Sequence, residues 1–475
     1  MNVRLLIVLA GGAAMVWSFR RWRVALQLAL VLMVFEGAIR KWLFPGAQDL
    51  IYFAKDVLLL GVYGGFLRDR SRLRMRSLPQ PLLYGLLAFS ALLGLLQVFN
   101  PALPNLLVGL SGFKAYFFYV PLVFVVPAAF PSDAALYRFL KRYCLIAIPV
   151  GLLAMAQFLS PASSVLNTYA RTNEEAFIAT FGSSTHVRVT ATFSFITGYS
   201  SYLLAMAILI LCLVAAARWQ FRGNLPMFGA FGMTLLPMLM TGSRGPVLFL
   251  VLLFPFYWWL AVIRERGGGM AFGRLLVALG LVAGFMVATG QNAIDAFRGR
   301  AEAGSDVRNR ITSPLLSPYL LLPDAGLTGF GIGATHQTAP TLAPGLAPYS
   351  WLHGLLVEVE SGRVMLELGA VGFLLIYFLR AYLSIFALRQ VFALRTRFHR
   401  ALATASFLFS LTALPGVVVF DVTSDLYYWF FAGLLLLAVR LDREVVRKAA
   451  ARAAAARPPA AVAIQPEPAL PAAAR

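Results

Sequence analysis

The chain is divided into apolar runs long enough to cross a bilayer, separated by short basic loops. The runs lie at 3–19, 24–39, 50–67, 81–98, 113–130, 143–160, 192–217, 225–241, 245–263, 270–289, 365–387, 401–420 and 426–439. A spanning helix needs about 17–25 such residues. In hydrocarbon the backbone must satisfy its own polar groups, so runs of this kind become helices. The expected fold is an all-α polytopic membrane bundle of about 12–13 transmembrane helices. Composition agrees: 60% of residues are hydrophobic and 13% charged, with mean hydropathy +0.77.

A formal charge of +21 would point to nucleic acid in a soluble protein. Here most Lys and Arg sit in short loops between apolar runs, as the positive-inside rule requires, and no nucleic-acid partner is expected. The basic loops are Arg20 to Arg23, Arg68 to Arg76, Arg138 to Arg142, Arg218 to Arg222, Arg264 to Arg266, Arg389 to Arg400 and Arg440 to Lys448. All fall on one side if the N-terminus is periplasmic and the C-terminus cytoplasmic. The layout is then 1–160 membrane helices, 161–191 an outer loop, and 192–289 central helices with a hairpin at Ser243-Arg244-Gly245. It continues with 290–364 as a large periplasmic loop, 365–448 as C-terminal helices, and 449–475 as a disordered Ala/Pro-rich tail. Cys144 and Cys212 lie in apolar runs and suggest neither a disulfide framework nor a metal site. There is no Walker A loop and no HExxH, so neither metal nor cofactor is expected.

Cations on the outer side do not serve topology and need another reason. Arg244 stands between the runs 225–240 and 246–263. At a helix centre an Arg costs roughly 2.5–3.5 kcal/mol on insertion scales, so it is expected at a polar junction. Arg188 precedes the run at 192–217, and Arg308 and Arg310 open the large loop. Together they can line an anion site for a pyrophosphate; Arg308 also reads as ordinary loop surface. Further on, 350–368 reads as helical. Glu360, Arg363 and Glu367 then share a stripe at i, i+3, i+7, and His353 joins it if the helix starts early enough. Such a stripe can bind and activate a sugar hydroxyl, or form a solvated face with an internal ion pair. Glu36, Arg40, Lys41, Lys55 and Asp56 form a third cluster, which reads as pairing within the bundle more readily than as catalysis.

Three stretches resemble the bacterial O-antigen polymerase and ligase superfamily. They are Arg188-Val-Thr-Ala-Thr-Phe193 with Gly198-Tyr-Ser-Ser-Tyr202, then Thr241-Gly-Ser-Arg-Gly245, and Leu327-Thr-Gly-Phe-Gly-Ile-Gly333 followed by Glu367-Leu-Gly-Ala-Val-Gly372. They cover 188–372. The resemblance implies a GT-C-like, metal-independent glycosyltransferase in the bacterial inner membrane. It would use an undecaprenyl-pyrophosphate-linked saccharide at the periplasmic face, with a flippase and a chain-length regulator as possible partners. Pyrophosphate would fall to Arg188, Arg244, Arg308 and Arg310, and the acceptor chemistry to Glu360, His353, Arg363 and Glu367. Many ligases carry a His about nine residues before the Glu of Glu-x-Gly; this chain has Glu358 there, and its Glu360/Arg363 arrangement fits a polymerase-like branch better. Ligation to lipid A–core or protein is the alternative within the class. A transporter or flippase of an anionic lipid is the alternative outside it, and lacks the internal repeats such folds usually carry.

Overall fold

The computed structural model describes residues 3–69, 80–170, 178–181, 186–216, 221–264, 280, 306–344 and 359–455. Among them the chain is helical, with one isolated bridge between Thr180 and Val187. The helices are α1 Val3–Arg20, α2 Trp22–Leu43, α3 Pro45–Arg68, α4 Pro81–Val98, α5 Leu106–Phe117, α6 Leu122–Ala129, α7 Asp133–Leu159, α8 Ile196–Ala216, α9 Phe221–Met240, α10 Arg244–Arg264, α11 Asp306–Ala325, α12 Glu360–Ala393, α13 Arg397–Thr412 and α14 Val422–Ala455. Seven of these (α2, α3, α4, α7, α8, α12 and α14) are long and apolar enough to cross a membrane, or eight if the bent pair α5 and α6 is one span. The chain is therefore a multi-pass helical membrane protein.

α8 and the membrane part of α14 are buried almost all round and form the centre of the bundle. A helix apolar on every face is stable only there or facing lipid. Tyr143 of α7 ties α14 to α2, its hydroxyl 2.5 Å from that of Tyr427 and 3.1 Å from the Leu30 carbonyl of α2. On the basic-loop end, His399 is fully buried, with Nε2 3.0 Å from Asp133 and Nδ1 3.1 Å from Asp442. That ring ties α7, α13 and α14 together.

Several expected spans change shape. The run at 113–130 is a pair of helices bent by 41°. The run at 401–420 yields only α13, which ends at Thr412. Residues 413–421 follow as largely irregular backbone, buried in part. The run at 270–289, apart from residue 280, lies outside the described residues. The large expected loop contains a 20-residue helix, α11, with prolines at 314, 318 and 323.

The largest departure is at 365–387. α12 is not one rod. Gly369 has φ 65° and ψ −173°, which breaks it into an arm, 360–368, and a spanning helix from Ala370. Glu360 and Arg380 are 20 positions apart yet joined by an ion pair. In a straight helix they would stand roughly 30 Å apart. The arm therefore folds back along the helix it precedes. The span begins after the break, and Glu360, Arg363 and Glu367 lie on a returning arm.

Breaking a helix in a membrane orphans backbone groups on both sides. The glycine-rich stretch at 326–333 satisfies them. Phe330 and Gly331 donate to the carbonyls of Leu366 and Glu367, at 2.8 and 3.0 Å. Ala370 and Val371 donate to the carbonyls of Gly326 and Leu327, at 3.0 and 3.3 Å. The end of α4 and the turn after it support that stretch: Gln97 donates to the Thr328 carbonyl at 2.7 Å and Asn100 to that of Gly329 at 3.2 Å. The two glycine motifs are one structural unit.

Candidate functional site

Three clusters of polar side chains meet at the end of the bundle that carries Gly242 and Thr335. The first is built on the 188–194 segment. Arg188 donates from Nε to the Thr241 carbonyl at 2.9 Å, and Val189 N–H donates to the Met240 carbonyl at 3.2 Å. The expected hairpin is present: α9 ends at Met240, Gly242 takes φ 65°, and α10 starts at Arg244. A Cβ at Gly242 would meet Arg188 Nε at 2.9 Å. Arg188 and the Ser-Arg-Gly hairpin are thus packed against each other, with both arginines half-buried. Beside them, Tyr169 donates to the Arg188 carbonyl, and burial pushes its phenol up to about 12.

The same segment is gripped from the other side. Lys41 Nζ donates to Thr190 Oγ1 at 2.7 Å and to the Ala191 carbonyl at 2.8 Å. Arg40 donates to Ser194 Oγ at 2.9 Å, and Gln157 Oε1 accepts from the Ala191 amide at 2.7 Å. These bonds hold Ala191 at φ 45°, a value costly outside glycine. Behind Arg40 lies the Glu36 cluster. Lys55 sits 2.7 Å from Glu36 Oε2, and Asp56 takes Lys114 at 2.6 Å and the Tyr119 hydroxyl at 2.8 Å. Pairing within the bundle is what the structure shows there. It also adds Lys114 of α5, a partner that sequence reasoning missed. Arg40, Lys55 and Lys114 all lie over the Tyr52 ring, at 5.2, 4.3 and 5.1 Å from its centroid.

The third cluster centres on Thr335. Its hydroxyl donates to Glu367 Oε1 at 2.6 Å and accepts from Arg363 Nε at 3.1 Å. Its amide also donates to Glu367 Oε1, at 2.8 Å, and its carbonyl accepts from Arg363 at 2.5 Å. The Arg363 guanidinium lies 3.5 Å from the centroid of the Phe420 ring. Tyr116 of α5 is buried beside Glu367. Arg363 and Glu367 are therefore brought together, but by clamping Thr335 between them. Glu360 is separated from both: one oxygen takes Arg380, and the other accepts from Val418 N–H at 2.7 Å and Phe420 N–H at 3.3 Å. Arg380 in turn donates to the Ala413 carbonyl at the end of α13, at 3.0 Å. This is a buried clasp that satisfies the irregular backbone at 413–420.

His353 lies outside the described residues. Val359 is extended (φ −112°, ψ 104°), so the helix starts at Glu360 and does not carry the stripe back to 353. Arg308 and Arg310 are on α11, and their side chains lie outside the described set. In place of His353 the structure offers His336, next to Thr335. The Thr338 amide, which can only donate, faces its Nδ1 at 3.3 Å, so the ring proton is on Nε2. Burial, then the charges of Arg363 and Lys114, push the ring down to about 4. His336 is thus a neutral N–H donor at neutral pH. Asp421 was missed as well. It receives Ser201 Oγ at 2.6 Å, from the motif that follows Arg188, and burial raises its carboxyl above the ordinary range. Its sequence signal was a cap: its side chain accepts from Thr423 N–H at the start of α14. Among the described residues, no group of three or more His, Cys, Asp or Glu is placed to hold a metal ion.

Comparison with protein-family models, curated proteins and solved structures returned no match.

Proposed function

We propose that this chain is a polymerase of undecaprenyl-pyrophosphate-linked oligosaccharide repeats, acting at the periplasmic face of the bacterial inner membrane. One observation carries the reading: the stretches that resemble the polymerase and ligase superfamily pair in space. Arg188 is hydrogen-bonded to Thr241 of the hairpin, and Gly331 to Glu367 of the broken helix. Lys41 and Lys114 border the same end. A lipid pyrophosphate carries its charge at the membrane boundary, where fixed cations serve it without solvent reorganisation.

In this reading Arg188 and Arg244 take the donor pyrophosphate. An acceptor hydroxyl attacks the anomeric carbon, the bond from that carbon to the phosphate oxygen breaks, and undecaprenyl pyrophosphate leaves with the bonding pair. Negative charge grows on the leaving group, so arginines there favour the transition state over the ground state. The Thr335 clamp positions the glycine-rich stretch against the sugar, and His336 Nε2 donates to a sugar or phosphate oxygen. Glu360, its oxygens committed, holds the arm. Asp421, half-buried with one oxygen accepting from Ser201 and the other from Thr423, keeps lone pairs with which to receive the hydroxyl proton.

The test is transfer by the purified protein in liposomes supplied with lipid-linked repeats. A ladder of lipid-linked products supports polymerisation. Transfer only when lipid A–core is added identifies a ligase instead. A second reading, translocation of an anionic lipid, draws on the broken helix α12, since broken helices also build transport sites. Movement of the lipid across liposomes with no new glycosidic bond would establish it and overturn the polymerase.

A further inference from the structure

α11 lies in the stretch expected to be an extramembranous loop, yet its surroundings are those of a membrane helix. From Ile311 to Pro323 it has no charged residue. Three prolines interrupt its hydrogen bonding. Pro318 has no N–H to give to the carbonyl four positions earlier, that of Pro314. That carbonyl accepts from Ser361 Oγ of the α12 arm at 2.7 Å. Relief of a proline-freed carbonyl by a neighbouring helix's hydroxyl is how proline is accommodated inside hydrocarbon.

The same bond sets depth. Ser361 adjoins Glu360, which meets Arg380 well inside the spanning helix. At 1.5 Å per residue, Arg380 is roughly 16 Å from the break at Gly369. At its other end α11 reaches that break, where Gly326 O accepts from Ala370 N–H. α11 therefore runs beside the returning arm, from the depth of the Glu360 clasp up to the level of Gly369.

Its outward face is apolar. Leu315 and Tyr319 are 74% and 75% exposed, with Leu316 and Leu320 beside them, and Leu327 past its end is 69% exposed. The neighbouring spanning helix likewise exposes Val371, Leu374 and Phe378, an apolar stripe at i, i+3, i+7. We propose that α11 is embedded in the bilayer beside the arm of α12, with Leu315, Leu316, Tyr319 and Leu320 in contact with lipid acyl chains. The segment expected to lie wholly outside the membrane thus dips into it, and α11 and the arm enter as a pair.

The experiment is spin labelling of the full chain in nanodiscs. Leu315→Cys, Tyr319→Cys and Leu327→Cys are compared with Gln337→Cys, which is exposed on the Thr335 loop. Because the first three positions are similarly exposed, differences among them report the medium, and native Cys144 and Cys212 are buried. The ratio of collisions with oxygen to collisions with a water-soluble nickel chelate should rise in the order Gln337, Leu327, Tyr319, Leu315. Three results would overturn the proposal. A low ratio at all positions places α11 in water. Equal, shallow values at 315, 319 and 327 lay it flat on the surface. Labels shielded from both reagents mean that protein, not lipid, covers the face.

Discussion

Glu360 and Arg380 belong to one helix by sequence, and they meet because Gly369 turns that helix back on itself. The pair is buried and further satisfied by Val418 and Ala413. Removing one partner of a buried ion pair strands the other charge, at a cost of about 3–5 kcal/mol. Glu360→Met and Arg380→Met should each lower the melting temperature and the membrane abundance of the protein. Combined replacement with Glu360→Met and Arg380→Met should cost less than the sum of the single changes, because no uncompensated charge remains. Single variants with normal stability, active or not, would show that Glu360 is not a structural clasp.

The break itself is testable at Gly369. Its φ of 65° is in the left-handed region, and an added Cβ would come within 2.5 Å of the Thr328 amide nitrogen. Backbone cannot yield as a flexible side chain can. Gly369→Ala should therefore cost at least the 1–3 kcal/mol of a strained backbone position, with loss of folded protein. Gly229→Ala, where a Cβ meets nothing within 4 Å, is the control and should be near neutral. Thermal stability of the two detergent-solubilised variants checks this, and equal stability would remove the argument for a required break.

Much of this was open to inspection in the sequence, and the parts that were not have physical reasons. The hairpin at Gly242 was legible because a lone Arg flanked by glycines between apolar runs has few other solutions. Pairing among Glu36, Lys55 and Asp56 was legible because charges inside apolar runs must find one another. The returning arm was hidden. Apolar spacing runs unbroken through Leu366, Leu368 and Val371, and one glycine dihedral reverses the chain without altering it. Lys114 and His336 were hidden for another reason, as was the contact that Asp421 makes beyond its cap. Each gains its role from a partner far off in sequence (Asp56, Arg363 and Ser201), and no local pattern announces such a contact.

The proposed donor site makes a demand on arginine chemistry. Arg188 donates from Nε to the Thr241 carbonyl, and a guanidinium presents its donors as a planar fork that matches phosphate oxygens. Lysine carries its three donors on one nitrogen and cannot reproduce that planar, bidentate geometry. Arg188→Lys and Arg244→Lys should each lower turnover by a factor on the order of 10²–10³, as when one transition-state donor is removed. Product formation at matched membrane abundance is the measurement. Near-normal turnover in both would move the pyrophosphate site elsewhere, with the Arg40 and Lys114 cluster the next place to probe.

The half-buried His336 gives the fold an acid sensitivity whose sign is fixed. Burial, Arg363 and Lys114 lower its pKa from 6.5 to about 4. Between those values the unfolded chain binds more protons than the folded one, so stability rises with pH across that window and is lost as pH falls through it. Above pH 6.5 both states are neutral and the contribution is constant. Melting temperatures measured from pH 7 to pH 4 should therefore drop less steeply for His336→Gln than for the unaltered chain, with the two curves parallel above 6.5. The comparison is made as a difference because carboxylates titrate in the same range in both proteins. If the unaltered chain loses no more stability than the variant between pH 6.5 and 4, the ring is not held neutral by its surroundings, and its place beside Arg363 and Lys114 would have to be redrawn.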